Sequence, residues 1–123
     1  NPDGRKHLSC LLKEIADSRT GSFLAILKLF GPRDEPYLSF ASEGYTLALD
    51  FPNRQDTELL FQKLDEIVLH AGGRLYLTKD ARMSKTMFEA GYPEYKDFKK
   101  VKKRIDPDNR FSSLQAERLG LNA

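Results

Sequence analysis

Gly72-Gly73-Arg74-Leu75-Tyr76-Leu77-Thr78-Lys79-Asp80 is the stretch on which the fold turns. Paired glycines stop a helix because they tolerate the left-handed backbone of a helix C-terminus. The residues after them are largely apolar and include an aromatic, so 74–78 is predicted as a strand, the third in the chain, ending on a lysine beside an aspartate. The helix that the glycines stop carries Leu60, Leu64, Ile67, Val68 and Ala71 on one stripe, and Asn53 or Asp56 is placed to cap it.

Upstream lie two further strand candidates. Residues 45–51 alternate Tyr45, Leu47, Leu49 and Phe51 against Thr46, Ala48 and Asp50, and Pro52 closes the run. Residues 22–30 are rich in large apolar side chains and bounded by Gly31-Pro32, which predicts a strand buried on both faces and antiparallel to the 45–51 strand. On it, Lys28 is the odd member between Ile26 and Phe30. Residues 33–44 are expected to be mostly loop, with Tyr37-Leu38-Ser39-Phe40 as a short extended piece. The apolar spacing of Leu8, Leu11, Leu12 and Ile15 predicts an amphipathic helix over 7–17.

Downstream, helices are expected over 84–90 and 94–104, split by Gly91-Tyr92-Pro93, and Asp106-Pro107 stops the second because the residue before proline is pushed out of the helical region. In the tail, Ser112 and Gln115 have the spacing of a capping box ahead of one or two helical turns. The element order predicts an α+β fold: a mostly antiparallel sheet of three or four strands, covered by one layer of helices, with a helical C-terminal tail.

Composition bounds the function classes. A chain of 123 residues fits one domain with one core. Twenty basic and eighteen acidic side chains leave a net charge of +2, no global drive toward nucleic acid. Cys10 is the single cysteine, so an internal disulfide and a multi-cysteine metal site are both excluded. A lone thiol fits a reducing compartment, and the cytoplasm is the expected location. No apolar run is long enough for a membrane span, and a start at Asn1-Pro2-Asp3-Gly4 reads as a piece of something longer.

No GxGxxG, GxxxxGK[ST], HExxH or GxSxG occurs, so no self-contained nucleotide, zinc or serine-hydrolase motif is present. His7 and His70 each have an ordinary structural reading, and no metal site is assigned. Lys28 is the first chemical candidate, because a lysine on a buried strand face must either snorkel at an edge or serve a polar cavity. Small side chains at Thr46 and Ala48 leave room for a ligand if their face coincides with that of Lys28 and Phe30. Lys79 is the second candidate, with an ion pair to Asp80 as its bland reading. Tyr76 and Lys79 lie on opposite faces of an ideal strand, so one site includes both only if the strand ends or bulges by Thr78. Lys96, Lys99, Lys100, Lys102, Lys103 and Arg104, interleaved with Phe98, Val101 and Ile105, read as a solvated helix face.

Four blocks, FLAILKLFG (23–31), GYTLALDFP (44–52), GGRLYLTKD (72–80) and RIDPDNRF (104–111), occur in this order. Together they resemble the C-terminal part of FAD-dependent oxidoreductases of the vanillyl-alcohol oxidase type. Among these the decaprenylphosphoryl-β-D-ribose 2-oxidase group is the most similar, and the sugar-lactone and alditol oxidases are more distant. The resemblance implies a two-domain parent whose N-terminal domain holds FAD, residues 1–123 forming the substrate or cap domain. It implies catalytic roles for Lys28 and Lys79, a pocket lined by Phe30, Thr46 and Ala48, and a flavin contact from Tyr76. The implied reaction is hydride transfer from an alcohol of a sugar-like, possibly lipid-linked substrate, in an enzyme that is cytoplasmic or peripheral to the membrane. The fragment alone is then expected to be inactive. Tyr76-Leu77-Thr78-Lys79 departs from the HWGK of sugar-lactone oxidases, and Thr46 and Ala48 stand where ribose oxidases carry asparagine and often cysteine. The alternative from another class is a non-catalytic small-molecule-binding or interaction module.

Overall fold

The computed structural model describes residues 2–32 and 37–122. In chain order these form α1 (Pro2–Asp17), β1 (Leu24–Phe30), β2 (Gly44–Asp50), α2 (Gln55–His70), a 3-10 turn (Leu77–Lys79), α3 (Lys85–Gly91), α4 (Tyr95–Ile105) and α5 (Leu114–Leu119). The class is α+β as expected. The described residues hold two strands, however, and not three or four. Of the loop expected over 33–44, residues 33–36 lie outside the described part. Residues 37–43 carry neither helix nor strand, and Tyr37 turns at φ 62 in place of the extended piece. Among the described residues no helix is long and apolar enough to cross a membrane.

The chain divides into two compact units. The first holds α1, β1, β2 and α2. Its strands pair antiparallel, Leu24 opposite Asp50 through Phe30 opposite Gly44. Helix α1 packs on α2 and on β2. Arg5 Nε donates to the Tyr45 hydroxyl at 3.4 Å, so the strand face carrying Tyr45 is the one turned to α1. Phe51 meets Phe61 of α2 edge to face at 5.5 Å. Leu60, Leu64 and Thr57 are the buried positions of α2, and the Thr57 hydroxyl donates to the Pro52 carbonyl at 2.8 Å.

Two expectations fail in this unit. Strand β1 is not buried on both faces: Leu29 is 72% exposed and Leu27 54%. Leu27 and Leu29 share the face of Tyr45, but α1 packs there on β2, and among the described residues a two-stranded ribbon with that cover leaves the apolar side chains of β1 exposed. Neither Asn53 nor Asp56 caps α2, whose N-cap is Arg54 in extended backbone without a side-chain bond. The C-terminal stop is as expected, with Gly72 at φ 66.

The second unit holds the 3-10 turn, α3, α4 and α5, with residues 37–40. Its core is Met83, Phe88, Tyr92 and Leu119, all essentially inaccessible. Ser84 caps α3 by accepting from the Met87 amide at 3.1 Å. Helix α5 is capped one residue later than expected: Ser113, not Ser112, accepts from the Ala116 amide at 3.1 Å. The capping box is therefore not formed, and the Gln115 side chain is free to act elsewhere.

Candidate functional site

In the first unit, register decides which side chains share a face. Lys28 is directly opposite Thr46, Ile26 opposite Ala48 and Phe30 opposite Gly44. Directly opposed residues of an antiparallel pair project to the same side, and alternate residues along each strand do likewise. Lys28, Phe30, Thr46 and Ala48 therefore stand on one face, the one turned away from the Tyr45 side. Along β2 this face is built from Gly44, Thr46 and Ala48, and along β1 from Ile26, Lys28 and Phe30. A low strip of small side chains thus runs beside a lysine and an aromatic ring. Lys28 is exposed, and among the described residues no hydrogen bond or ion pair engages its ammonium. The desolvated setting expected for it is absent from this unit.

In the second unit, the segment after Gly73 is not a strand. The Lys79 amide donates to the Tyr76 carbonyl at 3.2 Å and the Asp80 amide to the Leu77 carbonyl at 3.2 Å, closing successive i to i+3 turns. In 3-10 geometry, with three residues per turn, positions i and i+3 come to the same side. Tyr76 and Lys79, which a strand would have sent to opposite faces, are brought together by this coiling. Both side chains are exposed, and the Tyr76 ring lies 4.8 Å from that of Phe40.

What replaces a partner strand is a set of side chains aimed at the turn. The Tyr92 hydroxyl donates to the Leu75 carbonyl. Gln115 Nε2 donates to the Leu77 carbonyl at 2.7 Å and to Asp80 Oδ2 at 3.2 Å. Asp80 Oδ2 also accepts from Arg118 Nη2 at 2.7 Å, and its Oδ1 accepts from the amides of Met83 at 2.6 Å and Arg82 at 2.9 Å. The bland reading of Asp80 as an ion-pair partner for Lys79 gives way to this network. The carboxylate is turned inward, its side chain 3% exposed, onto Arg118 of α5. Among the described residues the Lys79 ammonium has no ionic partner.

The electrostatics follow from these contacts. Burial pushes the Asp80 carboxyl up, but Arg118, the Met83 and Arg82 amides and Gln115 together outweigh it and hold the group below its ordinary value. Burial pushes the Tyr92 hydroxyl up to about 12, against the opposing effect of Arg74, so it remains a donor to Leu75 at any physiological pH. Arg74 sits 5.1 Å from the centre of the Tyr92 ring and donates to the Ser39 carbonyl at 3.0 Å. Its cation and the ring thus support the start of the same segment.

The basic run of α4 is partly consumed by structure. Lys102 donates to Asp106 and to Asn109, each at 2.9 Å, and its side chain is largely buried. Lys99 donates to the Gly120 carbonyl at 3.0 Å, satisfying the end of α5. Lys100 pairs with Asp97. These bonds agree with the solvated-face reading for the outer lysines and add a structural one for the inner two. His70 is likewise occupied locally, with Nδ1 2.7 Å from the Glu66 carbonyl. Sequence reasoning did not find Asp80, Tyr92, Gln115 and Arg118 as supports of the turn. The partners of Tyr92, Gln115 and Arg118 are carbonyls and a carboxylate 17 to 38 positions away, which no local pattern encodes, whereas the bonds of Asp80 to the Arg82 and Met83 amides are local.

The sequence profile of the D-arabinono-1,4-lactone oxidase family matches residues 22–119. The chain is 38% identical over 111 residues to decaprenylphosphoryl-β-D-ribose oxidase of Mycolicibacterium smegmatis, covering 90% of the chain and 24% of that protein. It is 37% identical over 112 residues to an uncharacterized protein in the mprA 5′ region of Streptomyces coelicolor, covering 90% of the chain and 30% of that protein. The chain thus spans about a quarter to a third of the length of these curated relatives.

Proposed function

This chain belongs to the D-arabinono-1,4-lactone oxidase family, and on that premise we propose that it is the C-terminal substrate or cap portion of an FAD-dependent oxidoreductase acting on an alcohol of a sugar-like substrate. The observation that carries this reading is the family match, whose span of 22–119 contains all of Lys28, Phe30, Thr46, Ala48, Tyr76 and Lys79. The family and the mycobacterial relative are both named for pentose derivatives, which supports a pentose-derived alcohol as the substrate. A lipid-linked sugar would bring the protein to a membrane surface from the cytoplasmic side.

The residues present fit one part of FAD and not the rest. An exposed aromatic ring and an ammonium with no ionic partner among the described residues, Tyr76 and Lys79 on one turn, suit contact with a ring system that takes up negative charge. A glycine-rich turn leading into a helix N-terminus, the usual cradle for a pyrophosphate, does not occur in the sequence. The dinucleotide would therefore be held by another part of the protein. When bound, FAD supplies the hydride acceptor, the hard chemistry of the reaction.

The chain's own residues bind and orient. Lys28, with Thr46 opposite, offers an ammonium and a hydroxyl to sugar oxygens, while Phe30 and Ala48 give the strip an apolar wall and a floor. Lys79 stabilises the negative charge that develops on the substrate oxygen as its proton leaves. A lysine serves as the proton acceptor itself only when burial or another cation depresses its pKa toward neutrality. Both lysines are exposed in their units, which favours the orienting and charge-stabilising role. The full-length protein, denatured and analysed for flavin both released and retained on the chain, is expected to yield FAD near one equivalent per chain. Absence of flavin from a preparation that also fails to take up added FAD would reject the reading.

A second reading, a non-catalytic interaction module, draws on the apolar residues that β1 leaves exposed, Phe23 at 77% among the flanking ones. It predicts a full-length protein without flavin, so the same analysis separates the two.

A further inference from the structure

We propose that Gln115 is a positioning residue for Lys79: its side-chain amide spans the Leu77 carbonyl and the Asp80 carboxylate, and so fixes the turn from which the ammonium projects. The inference rests on the reading of Lys79 given above and goes beyond it by assigning the residue that sets its place.

The geometry is specific. A carboxamide nitrogen has two hydrogens, and both are engaged, at 2.7 Å on Leu77 and 3.2 Å on Asp80. Those acceptors are the first and last residues of the i to i+3 turn that contains Lys79. The Leu77 carbonyl already accepts from the Asp80 amide, and Gln115 takes its second lone pair. The amide therefore staples the turn from outside, in the place where a neighbouring strand would otherwise have supplied the donors. The lysine side chain itself is left exposed and unpartnered among the described residues, with its backbone fixed on both sides.

Gln115 differs in kind from the other members of the cluster. Arg118 pairs with Asp80 and also donates to the Met83 carbonyl, so it ties α5 to the entry of α3. Its loss threatens the fold. Removing Gln115 leaves Asp80 with three donors, the Arg82 and Met83 amides and Arg118, and deprives only the turn. Gln115 lies second in α5, whose cap is made by Ser113, so the helix does not need its side chain. A residue with no task in its own helix, spending both donors on the segment that carries a candidate site lysine, is placed to hold that segment in register.

The test uses the full-length protein carrying Gln115→Met, Lys79→Met, and both. Methionine keeps the unbranched shape of glutamine and removes the donors. Hydrogen exchange of the peptide containing Leu77–Asp80, measured without substrate, is expected to be faster in Q115M than in the parent, with the thermal midpoint shifted by only a few degrees. Turnover with D-arabinono-1,4-lactone or decaprenylphosphoryl-β-D-ribose, whichever bleaches the flavin, is expected to fall about tenfold in Q115M, the scale of one misplaced orienting group. The same substitution should cost nothing further in the K79M background.

Unchanged exchange in Q115M, or an equal loss of turnover with and without Lys79, would overturn the proposal while leaving the Lys79 defect in place. A K79M protein as active as the parent, or a parent whose flavin no sugar alcohol, sugar lactone or ribosyl-phosphate lipid analogue bleaches, removes the reading of Lys79 and the proposal with it. Should Q115M fail to accumulate, Gln115→Asn, which keeps the amide on a shorter arm, is read in its stead by the same criteria.

Discussion

At the scale of single residues, Lys79 and Asp80 are neighbours in sequence with opposite fates. One is exposed with no ionic partner among the described residues, and the other turns inward onto Arg118, the Arg82 and Met83 amides and Gln115. Replacing Lys79 by alanine in the full-length protein is expected to lower turnover about a hundredfold, the usual scale for losing one charge-stabilising group, with little change in thermal midpoint. An unchanged rate would remove Lys79 from the site. Replacing Asp80 by alanine is expected to do the reverse, costing about 3 kcal/mol because the Arg118 guanidinium and two amides lose a buried acceptor; urea unfolding measures it. The Asp80 carboxyl is held below its ordinary value of 3.8, so its contribution is fully present above that pH. It is lost as pH falls through the lower folded value. Asp106, which accepts from Lys102 and the amides of Arg110 and Phe111, is depressed in the same direction, Lys102 being the main cause and burial opposing. Thermal midpoints should therefore fall steeply below about pH 4, and less steeply when Asp80 is replaced by asparagine.

At the scale of elements, the sequence was most legible where structure is local. The stripe of α2 and its stop depend on neighbours within a turn or two, and Gly72 at φ 66 stands where the paired glycines predicted a helix end. Gly72→Ala should cost about 1 kcal/mol from backbone strain alone, since nothing lies within 4 Å of an added Cβ. The strand expected over 74–78 was not legible. Its apolar and aromatic composition satisfies a strand pattern, yet its carbonyls are taken by side chains 17 and 38 positions away, and the backbone coils into a 3-10 turn. The tail shows the same limit at shorter range. Two adjacent serines compete for the cap of α5, and Ser113 wins because its Oγ reaches the Ala116 amide. Ser113→Ala should cost about 1 kcal/mol and Ser112→Ala under about 0.5 kcal/mol, a contrast that thermal unfolding of the two variants resolves.

At the scale of the molecule, the β1–β2 ribbon leaves apolar side chains uncovered among the described residues. Leu27 and Leu29 are exposed on one face and Leu24 and Ile26 on the other, and a two-stranded ribbon is marginal in water. If the rest of the proposed flavoprotein packs on the ribbon, hydrogen exchange over β1 is expected to be markedly faster in this chain alone than in the full-length protein. Equal rates would contradict that burial. The shared face of Lys28, Phe30, Thr46 and Ala48 was legible from strand parity, because period-2 geometry follows once the antiparallel pairing is set. The supports of the Tyr76–Lys79 turn were not, because they arise from tertiary contacts of α3 and α5. The chain alone should be colourless, since the residues it offers suit only the ring of FAD. If the whole protein is the flavin-linked alcohol oxidoreductase proposed above, the anaerobic visible absorption spectrum of the full-length protein, taken before and after adding sugar alcohols, sugar lactones and a ribosyl-phosphate lipid analogue, shows it. Flavin bands should bleach with at least one of them, and far more slowly when Lys79 is alanine. A colourless protein that FAD does not reconstitute would contradict it.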